Sequence, residues 1–410
     1  MKRNDIDIII LGATRWDFKL SSSTFSIAKT LAQKNRVFYI ERPFSLKDVV
    51  THWNKPQFNY RKKAVLFGKN IYKKIEFERG SLTSVTSKFI FPINFLDSGI
   101  LYDNLAKYNN KILSNTLKKI IDDNKIKNYI YLNSFYPYQL RKIPSHILQP
   151  LTSIYRSVDD ISQENYIARH GVDAEKQSVK EFDIITASSS ELCNKLSTYG
   201  KDIHLIPNAG EFELFHSALI NDFEKPKEML HLKGKTVIFI GNLNDLRADF
   251  NLLVTCVTHY PDVNFIIVGP YDKVDYKKFK LEQYKNLIFT KEKDFHELPH
   301  YLKHSNVAII PFLKNKLTKS IYPLKVNEYL GAGMPVVSTN FSKDVESFNG
   351  LIYVANSDEE FVKLLGVALA ELNENKLNER VQFAKENNWE SRIEMIWNLI
   401  ENYQENKFPV

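Results

Sequence analysis

Cysteine is scarce in this sequence, since Cys193 and Cys256 are the two thiols in 410 residues. Two thiols are too few for a disulfide framework or for a cysteine metal site, and a reducing cytoplasmic compartment fits this content best. Because unpaired cysteine is most often a buried side chain, we expect both thiols to be structural.

Long apolar runs and targeting signals are lacking as well. The chain starts with a basic stretch, but the apolar run that follows ends at Gly12 and has no cleavage site, so it predicts a first strand and not a signal peptide. No stretch approaches the roughly 18 apolar residues that a spanning helix needs. A transmembrane anchor is therefore not expected.

Several catalytic signatures are also missing. The sequence has no G-x-G-x-x-G after a predicted strand, no Walker lysine, no G-x-S-x-G elbow and no histidine–carboxylate metal spacing. Dinucleotide-dependent, P-loop, serine-hydrolase and metalloprotease chemistries thus find no support.

Positive charge is present in excess and is concentrated in one segment. The formal net charge is +8, and residues 42–79 hold ten Lys or Arg against three acids, a net of +7. A mixture of basic and aromatic residues suits an anionic membrane surface or a nucleic acid, and a solvated basic loop gives the same pattern, so all three interpretations stay open. The interleaved aromatic residues are Trp53, Phe58, Tyr60, Phe67, Tyr72 and Phe77.

Short β-branched runs alternate with amphipathic helical patterns along the chain. This alternation predicts an α/β fold with parallel βαβ units, whose ligands lie at the carboxyl ends of the strands. The predicted strands are 5–11, 36–41, 88–93, 128–134, 153–159, 183–188 and 202–207, then 236–241, 264–269, 286–290, 306–312, 335–339 and 350–355.

A polar, lysine-rich break near 221–235 separates the two series of strands. We therefore expect two doubly wound domains, over 1–220 and 221–389. The tail has an apolar stripe at helical spacing, and a helix over 390–410 could pack on the second domain or cross back to the first, which periodicity does not decide.

The stretch "SIYPLKVNEYLGAGMPVVST" (320–339) combines features of a ligand-binding helix. Pro323 suits the first helical position, and Lys325 then lies in the first turn, where free N–H groups and the helix dipole favour a phosphate. Glu328 follows three residues later on the same face, where it could accept ribose hydroxyls. The structural alternative is a surface helix on which Lys325 and Glu328 pair with each other.

This stretch resembles the donor-binding motif of GT-B glycosyltransferases, in particular bacterial teichuronic acid and exopolysaccharide enzymes and a xanthan-type glucuronosyltransferase. The similarity is specific over about 230–345 and looser in the first half. It is carried by "NKLTKSIYPLKVNEYLGAGMPVVST" (315–339), "FIGNLNDLRADFNLL" (239–253), "PDVNFIIVGP" (261–270) and "ELPHYLKHSNVAIIPF" (297–312).

The resemblance implies two facing Rossmann-like domains with a cleft between them, an acceptor on the first and a nucleotide-sugar donor on the second, with no cofactor and no required metal. Many retaining members have a glutamate where this chain has Ser320, and glycine where it has Thr290 and Lys291. The implied donor-binding residues are Gly241 and Asn242 near the phosphates, Gly269 and Pro270 beside the base or ribose, Ser320, Pro323 and Lys325 at the phosphates or sugar, and Glu328 on the ribose.

Candidates for the catalytic base are Asp159 and Asp160, which follow a predicted strand of the first domain. A carboxylate there could deprotonate an acceptor hydroxyl and support inverting displacement. Aspartate also caps helices well. We expect one residue in each role, with Asp159 the catalytic one and His170 a less favoured base.

The loop "GATRW" after the first strand offers acceptor-side candidates. Gly12 would form a tight turn, Arg15 would neutralise a phosphate, and Trp16 would pack on an acceptor sugar or lipid. Local stacking within the loop is the alternative for both side chains.

These features together predict a cytoplasmic enzyme, peripheral on the inner face of the cell membrane. It would transfer a sugar from a nucleotide-diphosphate sugar, with UDP favoured, to a lipid-linked or saccharide acceptor of a cell-surface polysaccharide. Its basic segment would contact an anionic membrane and no nucleic acid. Two alternatives stay open. One is an epimerase or hydrolase on the same fold, and the other is a non-catalytic nucleotide-sugar-binding partner, which the absence of an acid at Ser320 favours.

Overall fold

The computed structural model describes residues 2–17, 22–163 and 165–407. The chain forms two compact units, the first made of Met1–Ser188, Leu192–Ile206 and Ile393–Val410, and the second of Ser189–Glu191 and Pro207–Arg392. The domain boundary at 220/221 stays a prediction, and residues 408–410 of the predicted last helix lie outside the described residues.

The first unit is built on a sheet that has eight strands within the described ranges, in the order β3-β4-β2-β1-β5-β6-β7-β8. All neighbours are parallel except β3 and β4, which form an antiparallel hairpin. The strands are β1 (Asp7–Gly12), β2 (Val37–Ile40), β3 (Tyr72–Phe77), β4 (Gly80–Val85), β5 (Tyr129–Ser134), β6 (Thr152–Ser157), β7 (Ile184–Ala187) and β8 (Ile203–Leu205).

The second unit holds a parallel sheet in the order β11-β10-β9-β12-β13-β14. Because helices cover both faces of such a sheet, its strands are nearly continuous apolar runs, and β9 is buried along its whole length. The strands are β9 (Thr236–Ile240), β10 (Asn264–Val268), β11 (Leu287–Phe289), β12 (Val307–Ile310), β13 (Val336–Thr339) and β14 (Tyr353–Ala355).

Helices connect most of the strands, as the alternating pattern predicts, and short 3-10 turns join some of them. The helices are α1 (Ser23–Leu31), α2 (Leu46–Thr51), α3 (Pro56–Asn59), α4 (Lys62–Phe67), α5 (Ile100–Asp123), α6 (Asn165–Glu181), α7 (Ser190–Ser197), α8 (Phe212–Ile220), α9 (Phe250–His259), α10 (Lys273–Lys278), α11 (Leu298–Lys303), α12 (Lys316–Lys319), α13 (Leu324–Gly331), α14 (Asp358–Ala370), α15 (Glu374–Glu386) and α16 (Trp389–Lys407).

The basic segment has more regular structure than the sequence analysis predicts. Helices α2, α3 and α4 form a helical insert (residues 42–69) with an apolar core of its own that includes Phe44 and Phe58. The hairpin β3–β4 follows. The predicted strand 88–93 is wrong, because this segment pairs with the insert through one isolated bridge at Ile90 and Pro92 lacks an N–H.

Helix α16 belongs to the first unit from Ile393 onwards. Tyr403 donates a hydrogen bond to the Asp183 carboxylate at 2.5 Å, and the two carboxylates Glu394 and Glu401 each lie 2.7 Å from the Arg3 guanidinium. The tail therefore packs on the first unit, which periodicity alone did not decide.

Cys256 is buried, and burial raises its pKa to about 12, whereas Cys193 is half-buried. The helices within the described ranges include none that is both long enough and apolar enough to cross a membrane.

Candidate functional site

The carboxyl ends of β9 and β10 approach each other so closely that glycine is needed. Gly269 has a φ of +143°, and a Cβ atom on it would lie 2.1 Å from the Gly241 carbonyl oxygen. The N–H of Leu243 donates to the Pro270 carbonyl at 3.0 Å, so the two loops are joined. The predicted residues Gly241, Gly269 and Pro270 thus lie together, with Asn242 exposed between them.

Helix α13 is anchored beside this edge of the sheet. The backbone N–H of Ile240, the last residue of β9, donates to the Tyr329 hydroxyl at 2.8 Å. Sequence reasoning did not single out Tyr329, because an aromatic residue in an apolar stripe indicates only a core position. Pro323 is the N-cap and not the first helical residue, since its ψ of 67° is not helical.

Lys325 and Glu328 form an ion pair with an Nζ–Oε2 distance of 2.6 Å. A surface helix would also pair Lys325 with Glu328. This pair, however, does not lie on the surface, because the Glu328 side chain is 2% exposed and the Lys325 side chain 27%. Burial raises the pKa of Glu328 above its ordinary value, against the opposing effect of the Lys325 ammonium. Within the described residues, the Glu328 Oε1 atom accepts no hydrogen bond.

Ser320 lies at the end of α12 and is buried. Its hydroxyl donates to the Lys316 carbonyl at 3.3 Å, and its own carbonyl accepts a hydrogen bond from the Ser189 hydroxyl at 2.7 Å. The side chain therefore bonds within its own helical turn and supplies no charge at this position.

Lys291 adopts the left-handed conformation that glycine adopts readily, with a φ of +63°. Its carbonyl accepts a hydrogen bond from the Gly269 N–H at 3.0 Å. The backbone at this position thus keeps the geometry suited to glycine, although the side chain is a lysine.

Of the two candidate bases, Asp160 is held by local contacts. Its Oδ1 atom accepts hydrogen bonds from the Ser162 N–H at 2.9 Å and the Ser162 hydroxyl at 2.6 Å, and from the Lys195 ammonium. Burial raises the pKa of Asp160, but Lys195 and Ser162 outweigh it and hold the pKa below its ordinary value. Such contacts are typical of a capping residue.

Asp159 follows β6 and is half-buried. It interacts electrostatically with the Arg156 guanidinium, which is fully buried on β6. Burial lowers the pKa of Arg156 to about 10, and the Asp159 carboxylate opposes this change. The guanidinium also donates to the Ser23 hydroxyl at 3.3 Å, at the start of α1.

The loop after β1 contacts the helical insert. The Arg15 guanidinium stacks on the Phe44 ring at 3.6 Å and lies 3.4 Å from the Asp48 carboxylate, and burial lowers its pKa. The Lys73 ammonium lies 4.4 Å from the centre of the Trp16 ring. Both side chains therefore stack on neighbouring parts of the first unit.

Gly12 has a different role from the predicted tight turn. It is the last residue of β1, and a Cβ atom there would lie 2.2 Å from the Tyr39 hydroxyl oxygen. Gly12 thus makes room for Tyr39.

A buried arginine holds this loop to the insert. Arg61 is 1% exposed and pairs with Asp17 at 2.7 Å and with Glu41 at 2.7 Å. Breaking such a pair leaves a buried charge without its partner, so the loop and the insert are strongly connected.

In the part of the chain that the structure describes, no group of three or more His, Cys, Asp or Glu side chains could hold a metal ion. Lys325 on α13 is a cation that an anionic ligand could meet in the second unit.

Comparison with known proteins finds a family match within the second unit. Residues 234–371 match the family model described as glycosyl transferases group 1. TuaH of Bacillus subtilis (strain 168), a candidate glycosyltransferase of teichuronic acid biosynthesis, is 30% identical over 174 residues. That alignment covers 41% of this chain and 43% of TuaH, so it spans less than half of the relative.

Solved structures match over nearly the whole chain. Trehalose-phosphate synthase from Burkholderia vietnamiensis has a TM-score of 0.68 at 11% identity, covering 97% of this chain and 98% of that one. Sucrose-phosphate synthase from Thermosynechococcus elongatus has a TM-score of 0.66 at 13% identity, covering 97% and 98%. The predicted α/β class and the GT-B resemblance are confirmed: the chain has the GT-B fold, and its residues 234–371 match the model of the glycosyl transferases group 1 family.

Proposed function

We propose that this protein is a glycosyltransferase of cell-surface polysaccharide biosynthesis. It would move a sugar from a nucleotide-diphosphate sugar, with UDP favoured, to a lipid-linked or saccharide acceptor. The family match within the second unit supports this proposal, and so does the similarity to TuaH, which is named for teichuronic acid biosynthesis. Two structural neighbours favour UDP: a trehalose-6-phosphate protein from E. coli bound with UDP-2-fluoro glucose, and the UDP-forming synthase from Burkholderia vietnamiensis.

The observation that carries the proposal is the pair Lys325–Glu328 on a helix anchored next to Gly241. The ammonium and the helix start would offset the charge that develops on the departing diphosphate. Glu328 has one carboxylate oxygen bonded to Lys325 and the other available for hydroxyls of the ribose. A bound donor would thus supply hydrogen-bond partners to a buried carboxylate that Lys325 contacts through one oxygen.

For the chemical step we propose Asp159 as the base that takes the proton of the acceptor hydroxyl, with inversion at the anomeric carbon. Arg156 beside it would favour the ionised form. Asp160 would keep its capping role, because its oxygen already accepts three hydrogen bonds. Helix and lysine would meet the diphosphate charge without a metal ion.

We also propose that the helical insert contacts an anionic membrane. Leu46 and Val50 lie one turn apart on α2 and Trp53 follows the end of this helix; the three side chains are 42%, 73% and 46% exposed. The Lys62 ammonium lies 4.7 Å from the centre of the Trp53 ring, and Lys47 and Lys55, close in sequence, are exposed. Exposed apolar side chains among lysines are typical of proteins that bind the interface of anionic bilayers.

A transfer assay tests the proposed activity. Purified protein would be incubated with UDP-glucose, UDP-galactose, UDP-glucuronic acid or UDP-N-acetylglucosamine, with and without a bacterial lipid extract as acceptor, and released UDP would be measured. We expect release that needs the extract and falls at least 100-fold in Asp159→Asn but less than tenfold in Asp160→Asn.

Other outcomes favour the alternatives. Donor turnover without acceptor would indicate an epimerase or hydrolase. Nucleotide binding without any turnover would indicate a non-catalytic partner. Full activity in both aspartate variants would contradict the proposed base.

A further inference from the structure

The first unit contains a cavity of about 510 Å³ that the proposed function does not use. It lies between the first half of α5, the loop after β5 and helix α6, and its lining includes neither Asp159 nor Asp160. Its volume falls within the roughly 300–1,000 Å³ of small-molecule sites.

Hydrogen bonds fix the three walls of this cavity to one another. The Tyr138 hydroxyl donates to the Ile167 carbonyl at 2.8 Å and so joins the loop to α6. The Leu140 N–H donates to the side-chain oxygen of Asn110 at 2.8 Å, which joins the loop to α5. Because the walls are connected, a ligand would meet a largely preformed site.

Five charged or amide side chains of the lining are exposed and have no hydrogen-bond or ion-pair partner among the described residues, which leaves their donors and acceptors available to a ligand. Two are acidic, two are basic and one is an amide, so their charges cancel. A balanced set does not favour a polyanion or a polycation, and a polar lining does not favour an apolar ligand. These side chains are Asp103, Lys107, Lys142, Asp173 and Gln177.

The cavity also has a flat aromatic wall. Tyr102 stacks on His170 with 3.9 Å between ring centres and 23° between ring planes. The His170 ring is further fixed by a hydrogen bond of 2.8 Å between Nε2 and the Leu96 carbonyl. An aromatic face suits the C–H face of a sugar ring, while paired donors and acceptors suit its hydroxyls.

We propose that this cavity binds a neutral oligosaccharide segment. This inference rests on the proposed function and deepens it. The acceptor would be a saccharide chain, and the first unit would hold it by residues other than the proposed base. The saccharide contacts Tyr102 with a ring face and Asp173 with hydroxyls.

The test is ligand-observed NMR with maltotriose, cellotriose and chitotriose, and with sodium pyrophosphate and spermine as charged probes. We expect at least one trisaccharide to bind the full-length protein, with an affinity at least tenfold weaker in Tyr102→Ala and in Asp173→Ala. Tyr108→Ala, on the same helix but outside the cavity lining, and Asp202→Ala, at an exposed position, serve as matched controls and should bind as the wild type does.

Asp173 is exposed, so its variant keeps the test valid even if Tyr102→Ala does not fold. Absence of trisaccharide binding, binding unchanged in Asp173→Ala, or pyrophosphate or spermine competing at this site would each overturn the proposal. The measurement uses no donor. UDP binding is measured separately. A protein that binds the oligosaccharide but no UDP would count against the proposed transferase and leave this site standing. A protein that binds UDP but no oligosaccharide would overturn this site and leave the transferase standing.

Discussion

Removing the Lys325 ammonium should destabilise the second unit in a pH-dependent way. Glu328 is 2% exposed and Lys325 is its ion-pair partner at 2.6 Å. Loss of one partner of a buried pair costs about 3–5 kcal/mol. Since the Lys325 side chain is 27% exposed and water can reach the pair, we expect about 1–3 kcal/mol for Lys325→Met at pH 8.

The direction of the pH dependence follows from the raised pKa of Glu328. Burial makes the ionised carboxylate costly in the folded state, so the stability that the protonated form provides is present below the ordinary pKa of 4.5 and is lost as pH rises through the folded-state value. Lys325→Met removes the cation that opposes this shift. Its penalty should therefore be largest at pH 8 and smallest near pH 4.5.

Calorimetric unfolding of the full-length protein at both pH values measures this effect, which corresponds to a Tm change of roughly 3–10 °C at pH 8. Glu328→Gln in the Lys325→Met background should restore most of the loss, because no buried charge remains. Lys118→Met, which breaks an exposed pair with Asp122, should cost less than about 0.5 kcal/mol. Equal losses at both pH values, with no restoration by Glu328→Gln, would show that the unpaired Glu328 carboxylate is not the cause of the instability.

Three further predictions concern single contacts, each read out as an unfolding free energy. Gly269→Ala should cost at least about 2 kcal/mol more than Gly200→Ala, since both glycines have positive φ but only Gly269 has no room for a Cβ; equal costs would contradict the close approach of β9 and β10. Arg61→Met should cost about 3–5 kcal/mol because it leaves buried carboxylates without their partner, whereas Arg36→Met, at a half-exposed ion pair, should cost about 1 kcal/mol or less; similar losses would contradict this difference. Asp160→Asn should cost about 1–3 kcal/mol at pH 7. Because the folded-state pKa of this carboxyl lies below 3.8, its contribution is lost as pH falls through the folded-state value, and a deficit that grew towards acid pH would contradict the assignment.

Much of the fold could be predicted from the sequence because buried parallel strands are continuous apolar runs. The run before Gly12 and the run after Lys235 both became central strands. The same reasoning missed the hairpin 72–85, whose exposed positions include Lys73, Lys74 and Glu76. Lys73 and Lys74 are consecutive and so lie on opposite faces of β3, which is an edge strand, whereas the local charge pattern indicates only a basic surface.

The candidate site was only partly predictable. Helical spacing places Lys325 and Glu328 on one face, but it says nothing about depth, and the burial of Glu328 results from the packing of α13 on β9 through Tyr329. The partners of Arg15 and Trp16 come from the insert and β3, far along the chain. Contacts of this kind depend on tertiary structure, which no local pattern contains.

Thermal unfolding with UDP, GDP and CMP shows whether α13 holds a nucleotide, when it is measured for the wild type, Glu328→Ala and the exposed control Glu346→Ala. A nucleotide at 100 times its Kd adds about 2.7 kcal/mol, or roughly 5–10 °C in Tm for a unit of this size. We expect that UDP alone stabilises the wild type and Glu346→Ala, and that UDP does not raise the Tm of Glu328→Ala. Stabilisation by no nucleotide, or equal stabilisation of Glu328→Ala by UDP, would contradict this expectation.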